Sequence, residues 1–313
     1  MGSGGFALPS LQALLDSSQQ VLALITQPDK PAGRGHELRM PKTKALAIER
    51  GIAVHQPLKV RAEAAVDLVR GIAPDVIVVV AYGQIIPASI LEVPPRGIVN
   101  VHGSLLPRYR GAAPIQWAIA RGETETGVTT MLMDVGLDTG PILLQKKIGI
   151  SEDDTGGTLE AKLALLGAEL LLETLSRWEL GHLTPIPQND AKATLAPRIR
   201  KEEALVDWSH LATEIHCRVR AFDPWPVAFV PLADGVLRIW KTRVAAAGSA
   251  EADPGRILGI EREGLIVACG GRTALIVEQV QPAGKGRMSA SAFARGKRLA
   301  LGDFLGLLRP PRP

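Results

Sequence analysis

Cysteine is nearly absent: Cys217 and Cys269 are the only two in 313 residues. Two thiols suggest no disulfide framework, and their separation suggests no zinc-ligand pair, so no metal is expected. Aromatic residues make up 4% of the chain. The core must therefore be built from Ala, Leu, Ile and Val. No apolar run approaches the roughly 18 residues that span a bilayer, and no basic-then-apolar leader opens the chain. A cytoplasmic protein without membrane contact fits. The glycine-rich start MGSGGFALPS neither follows a strand nor matches GxGxxG, which argues against a nicotinamide dinucleotide. Glycine (32) and proline (23) are spread through the chain, so they mark turns rather than a disordered tract.

What is present is a soluble, evenly patterned chain with an uneven charge. Residues 198–313 carry 18 Lys/Arg against 12 Asp/Glu, whereas residues 1–197 carry 18 against 20. A basic second half suits an anionic partner such as RNA, and equally suits a solvated surface. Apolar strands are expected at 20–28, 51–57, 74–83 and 97–103, with helices at 8–17, 41–50, 60–71 and 85–92 between them. PDVIVVVAYG, apolar on both faces, has the pattern of a central parallel strand. The alternation implies an α/β fold with a doubly wound, mostly parallel sheet. A helix at 112–121, strands at 126–134 and 140–150, and a long helix at 155–178 follow. The proline-rich segment 184–203 marks the domain boundary. Beyond a helix at 208–221, short strands with Gly-rich turns suggest a small β-barrel of oligonucleotide-binding type. The expected division is 1–190, a linker at 191–204, and 205–313.

Chemistry concentrates in NVHGSLLPRYRGAAP (100–114). Asn100 and His102 alternate by two, so an extended strand points both the same way. Histidine exchanges a proton near neutral pH, and an asparagine amide can donate to a developing oxyanion without titrating. Asp138, in the Gly-flanked GLDTG loop, is the best carboxylate to orient the imidazole, with Asp134 its local competitor. Asn–His–Asp without a covalent nucleophile describes an acyl-transfer site. Ser104 is followed by Leu-Leu-Pro rather than by the elbow glycine pattern, and reads as a turn residue. Arg108 and Arg110 either grip a phosphate or face water. The basic segment 28–44, with Lys30, Arg34, Arg39, Lys42 and Lys44, either orders against a phosphodiester backbone or is a solvated loop.

Together NVHGSLLPRYRGAAPIQWAI, TGVTTMLMDVGLDTGPIL and TQPDKPAGRG resemble the methionyl-tRNA formyltransferases, a branch of the folate-dependent formyltransferases. KEEALVDW and RAFDPWP resemble segments at and beyond the family's domain junction. The resemblance implies a Rossmann-like formyltransferase domain followed by a tRNA-binding barrel. It implies transfer of a formyl group from 10-formyltetrahydrofolate to the amino group of methionyl-initiator tRNA. The family's catalytic trio falls on Asn100, His102 and Asp138. The donor site falls on Tyr82, Gly83, Gln84, Ile85 and Ile86, on Ser104, Leu105, Leu106 and Pro107, and on Val135 and Gly136. Contacts to tRNA fall on Arg34, Arg39 and Lys42 in the basic segment. In and before the second domain they fall on Arg198, Arg200, Lys201, Lys241, Arg243, Lys285 and Arg287. A monomer is expected.

One departure stands out. Family chains open with an apolar strand running into GTPEFA or a close relative, whereas this sequence opens MGSGGFALP. The first strand is expected to be missing, through a wrongly placed start or an altered N-terminus. Formyltransferases acting on a nucleotide sugar or a purine precursor, and a formyl-discarding hydrolase, are the nearest rivals. None of them needs a basic insertion at 28–44 together with a basic second domain. A non-catalytic RNA-binding protein on the same scaffold is the rival of a different class.

Overall fold

The computed structural model describes residues 1–32, 37–246 and 251–306. The chain forms two compact units, Met1–Pro114 with Glu125–Gly149 and Leu159–Pro197, and Ile115–Thr124 with Ile150–Thr158 and Arg198–Pro313. The first unit opens with α1 (Leu8–Leu15) and β1 (Ala23–Ile25). The basic segment follows as a short antiparallel hairpin, β2 (Lys30–Ala32) with β3 (Glu37–Arg39), where the sequence suggested only a loop. Next come α2 (Lys42–Glu49), β4 (Ala53–His55), α3 (Glu63–Ile72), β5 (Ile77–Val79), α4 (Ala88–Leu91) and β6 (Ile98–His102). After α5 (Pro114–Ala120) come β7 (Glu125–Leu132), β8 (Ile142–Gly149) and α6 (Gly156–Glu179).

The expected elements are present, but the sheet is mixed rather than mostly parallel. β1 pairs parallel with β4, and β5 with β6. The pairings β6–β7 and β7–β8 are antiparallel. A β7–β8 connection of nine residues leaves no room for a crossover helix, so the two strands must run in opposite directions. Helix α6 settles on this sheet at Gly167, where an added Cβ would lie 2.9 Å from Val101 and 3.4 Å from Val128.

Between β1 and β5 runs the chain start. Gly2 donates its N–H to the Ile25 carbonyl and bridges Val80 in parallel, and Val80 donates to the Met1 carbonyl. The terminal amine of Met1 donates to the Val78 carbonyl at 2.5 Å. A side chain at Gly2 would lie 2.8 Å from the Val80 carbonyl oxygen, so only glycine fits. Next to this contact a cavity of about 240 Å³ is lined by Met1, Ser10, Leu11, Leu22, Leu24, Val76 and Val78, among others. Among the described residues the buried Ser10 hydroxyl has no hydrogen-bond partner.

The second unit contains α7 (Ala212–Ala221), β9 (Phe229–Leu232), β10 (Gly235–Val244), β11 (Ile257–Ile260), β12 (Leu265–Cys269), β13 (Thr273–Pro282), β14 (Met288–Ser289) and α8 (Ala290–Lys297). Its strands form one antiparallel sheet in the order β11-β12-β13-β10-β9, with β14 beside β13. The expected barrel is therefore incorrect: the sheet is open. Other parts of the chain meet its outer strands. Leu205 bridges Phe229 on β9, and Phe304 bridges Arg256 at the start of β11. Strand patterning reports which face is buried, whereas closure depends on what covers the edges. Ile215 and Val219 of α7 and Phe293 of α8 pack with Leu237, Ile239, Val267 and Val277 in one core.

Candidate active site

Strand β6 is buried along its whole length, IVNVH. Asn100 and His102 thus lie inside an apolar strand, each under a tenth exposed. They share a face, and in register Asn100 lies opposite Met131 of β7. Among the described residues no hydrogen bond engages the Asn100 carboxamide, so its N–H groups are available to a reacting oxygen. His102 Nε2 lies 2.9 Å from the Tyr109 carbonyl oxygen. A carbonyl only accepts, so Nε2 carries the proton, and in the neutral ring Nδ1 is the proton acceptor.

Asp138 faces that nitrogen, with Oδ2 3.7 Å from Nδ1. The same oxygen accepts the Gly111 N–H at 2.8 Å. Asp138 adopts φ 53°, a left-handed conformation that aspartate tolerates better than most residues. Asp134, the local competitor, is engaged within its own loop. Its Oδ1 accepts from the Gly136 N–H at 2.9 Å and from the Thr139 hydroxyl at 2.7 Å. The geometry thus favours Asp138 over Asp134 as the partner of His102.

Residues outside the expected trio hold it in place. Arg110 is buried rather than solvent-facing, and its guanidinium meets Gln188 and Asp190. Backbone bonds tie 109–113 to 194–196: Tyr109 N–H donates to Thr194 Oγ1, Arg110 N–H to the Thr194 carbonyl, and Ala196 N–H to the Arg110 carbonyl. An added Cβ at Gly111 would stand 2.6 Å from the Ala196 carbonyl oxygen. Gln188 and Thr194 carried no signal in the sequence, because they sit in the proline-rich stretch that reads as a boundary.

The donor-site residues divide by exposure. Ile85 and Val135 are 90% and 84% exposed, and apolar side chains left this open on loops suit a flat heteroaromatic ligand. Gly83 and Gly136 are also open. Tyr82, Ile86 and Leu106 are buried. Burial pushes the Tyr82 phenol up to about 12. Gln84 turns away from the loop end, accepting the Val60 N–H at 2.8 Å. Ser104 is fully buried and donates to the Arg108 carbonyl at 2.6 Å, which makes it a turn residue. Leu105 and Pro107 are half-buried.

Among the basic residues, Arg34 lies outside the described residues, and Arg39 contributes backbone to β3. Lys42, Arg198, Arg200, Lys201, Lys285 and Arg287 are exposed. Lys241 and Arg243 share Glu278 at 3.2 and 3.4 Å, and Arg243 also meets Glu263 at 2.5 Å. These partners offset their charge. The Arg287 guanidinium lies 3.4 Å from the Trp240 ring centroid.

Residues 1–175 match the formyl transferase family, and residues 198–298 match its C-terminal domain. A methionyl-tRNA formyltransferase of Trichlorobacter lovleyi is 48% identical over 305 residues, covering 97% of this chain and 95% of the relative. That of Pelobacter propionicus is 48% identical over 313 residues, covering 100% and 97%. Among solved structures, an N-formyltransferase from Helicobacter canadensis, in complex with folinic acid and dTDP-3-aminofucose, shares the fold. Its TM-score is 0.64 at 20% identity, covering 88% of this chain and 96% of that one.

Proposed function

This chain belongs to the methionyl-tRNA formyltransferase family, and we propose that Asn100, His102 and Asp138 carry its reaction. The enzyme transfers the formyl group of 10-formyltetrahydrofolate to the free amino group of methionyl-initiator tRNA, giving the formylmethionyl-tRNA that starts translation. The reading of the site rests on one observation. Two buried polar side chains share a face of β6, and a carboxylate stands 3.7 Å from the imidazole of the second.

The methionyl amine attacks the formyl carbon, forming a C–N bond and leaving the former carbonyl oxygen negative. The Asn100 amide donates to that oxygen and stabilises the charge where it develops. His102 Nδ1, its lone pair free, takes the proton that the attacking nitrogen must lose. The imidazolium so formed lies beside the Asp138 carboxylate, which supports its charge. The oxyanion then re-forms the carbonyl as the bond from the formyl carbon to N10 of the folate breaks, and the imidazolium of His102 returns its proton to N10. Ile85 and Val135 form apolar walls for the pterin, with the open backbone at Gly83 and Gly136 beside them.

Residues 1–190 supply the chemistry, and 205–313 grip the tRNA through Lys285 and Arg287, joined by the exposed Arg198, Arg200 and Lys201 just before that domain. By the family resemblance Arg34, in the basic segment, belongs with the contacts to the acceptor end. The enzyme works in the cytoplasm. The test is a formylation assay with 10-formyltetrahydrofolate and methionyl-initiator tRNA. Formylation of a small amine but not of the charged tRNA would overturn the reading.

A further inference from the structure

We propose that Gln188 is a positioning residue that fixes the two neighbours of His102 relative to one another; this rests on the site reading above. Its carboxamide is fully engaged. Oε1 accepts from Arg110 Nε at 3.1 Å and Nη2 at 2.9 Å. Nε2 donates to the carbonyl oxygens of Asp138 at 2.8 Å and Gly140 at 2.7 Å. The orientation of the amide is forced, because a guanidinium only donates and carbonyls only accept.

These four bonds join the two pieces of backbone that hold the imidazole. On one side is Arg110, next to Tyr109, whose carbonyl takes His102 Nε2. On the other is Asp138, whose carboxylate faces Nδ1. Asp138 sits in a left-handed conformation, φ 53°, that depends on its surroundings to hold it. Gln188 grips the carbonyls on both sides of Thr139 and supplies that hold. Arg110 is itself fixed, since Nη2 also meets Asp190 Oδ1 at 2.7 Å and its backbone is bound by 194–196. A loop swing of 1 Å at Asp138 would uncouple it from Nδ1, a displacement that sharply reduces turnover.

Gln188→Glu separates the two grips. It keeps an acceptor for Arg110 and loses both donors to the Asp138 loop. Gln188→Ala loses everything. We expect Gln188→Glu to lower kcat at least tenfold, with KM for folate and for tRNA within threefold and the melting temperature within a few degrees. In an Asp138→Ala background, Gln188→Glu should lower the residual kcat no further, because the two act through one group. Gln188→Asn, which keeps both grips in kind on a shorter stem, should recover part of the rate. Wild-type kcat in Gln188→Glu beside an impaired Asp138→Ala would overturn this proposal and leave the site reading intact. A tenfold further loss in the Asp138→Ala background would also overturn it. An Asp138→Ala enzyme with full activity would instead overturn the site reading itself.

Discussion

His102 Nδ1 stands 3.7 Å from Asp138 Oδ2, and the Gly111 N–H already holds that oxygen at 2.8 Å. The separation is too long for a hydrogen bond and short enough for a strong charge contact once Nδ1 is protonated. The carboxylate therefore acts chiefly on the charged ring. Asp138→Asn should lower the single-turnover formylation rate about 10²-fold or more. His102→Ala should abolish turnover while leaving tRNA retention on filters within twofold. Formylation by either variant above a tenth of wild type would sink the assignment.

Asn100 contributes a neutral donor, with no internal partner among the described residues. Asn100→Ala should reduce kcat by about 10²–10³-fold with little change in KM, the usual loss when one oxyanion donor is removed. Asn100→Asp should be worse, because it places a carboxylate beside a developing negative charge. Steady-state kinetics with both substrates varied checks the split. An unchanged kcat with raised KM would reassign Asn100 to ground-state binding.

Gly111 has φ 122° and no room for a methyl group beneath the Ala196 carbonyl. Gly111→Ala should destabilise the protein by about 2 kcal/mol or more, through clash and backbone strain together. Denaturant unfolding measures it. A cost under about 0.5 kcal/mol, ordinary for a surface position, would mean that the 194–196 segment yields freely.

Burial lowers the Met1 amine from 8.0 to about 5. Between those values the unfolded chain binds the proton and the folded one does not. In a protein whose chain starts at Met1, this group makes stability rise as pH climbs from about 5 to about 8, and adds no slope below 5 or above 8. Adding about eight apolar residues ahead of Met1, a strand's length, should remove that component and raise the melting temperature markedly by filling the neighbouring cavity. Thermal scans across pH compare the two. Equal melting temperatures would show that the gap between β1 and β5 does not accept a strand.

Arg34 lies in the basic segment that the family resemblance assigns to tRNA. Arg34→Ala should raise KM for tRNA and flatten the salt dependence of binding by about one in log–log slope, while kinetics toward the folate stay unchanged. An unaltered slope would remove Arg34 from the phosphate contacts.

Apart from β2 and β3, the strands and helices of the first unit were legible because their signals are local: buried β-branched runs, turn glycines and helical periodicity. Asn100 and His102 were legible as a pair because spacing by two sets a common face. Asp138 could be named from its loop, but its preference over Asp134 needed the fold. Only there does Asp134 close on its own Gly136 and Thr139 while Asp138 turns to the imidazole. Arg110 was left between phosphate and water, and is instead buried against Gln188 and Asp190. Nothing within a few residues of Gln188 hints at this, since its partners lie 48 to 78 positions away.

By itself the sequence determined most of the element order, the family and the reaction, and it pointed to candidate site residues, because patterning and short motifs are properties of neighbours along the chain. The tertiary structure decided the mixed strand directions, the open second sheet, the proton-bearing nitrogen of His102 and the carboxamide that ties its neighbours together. Those depend on strand edges and on hydrogen-bond partners that come together only when distant segments pack.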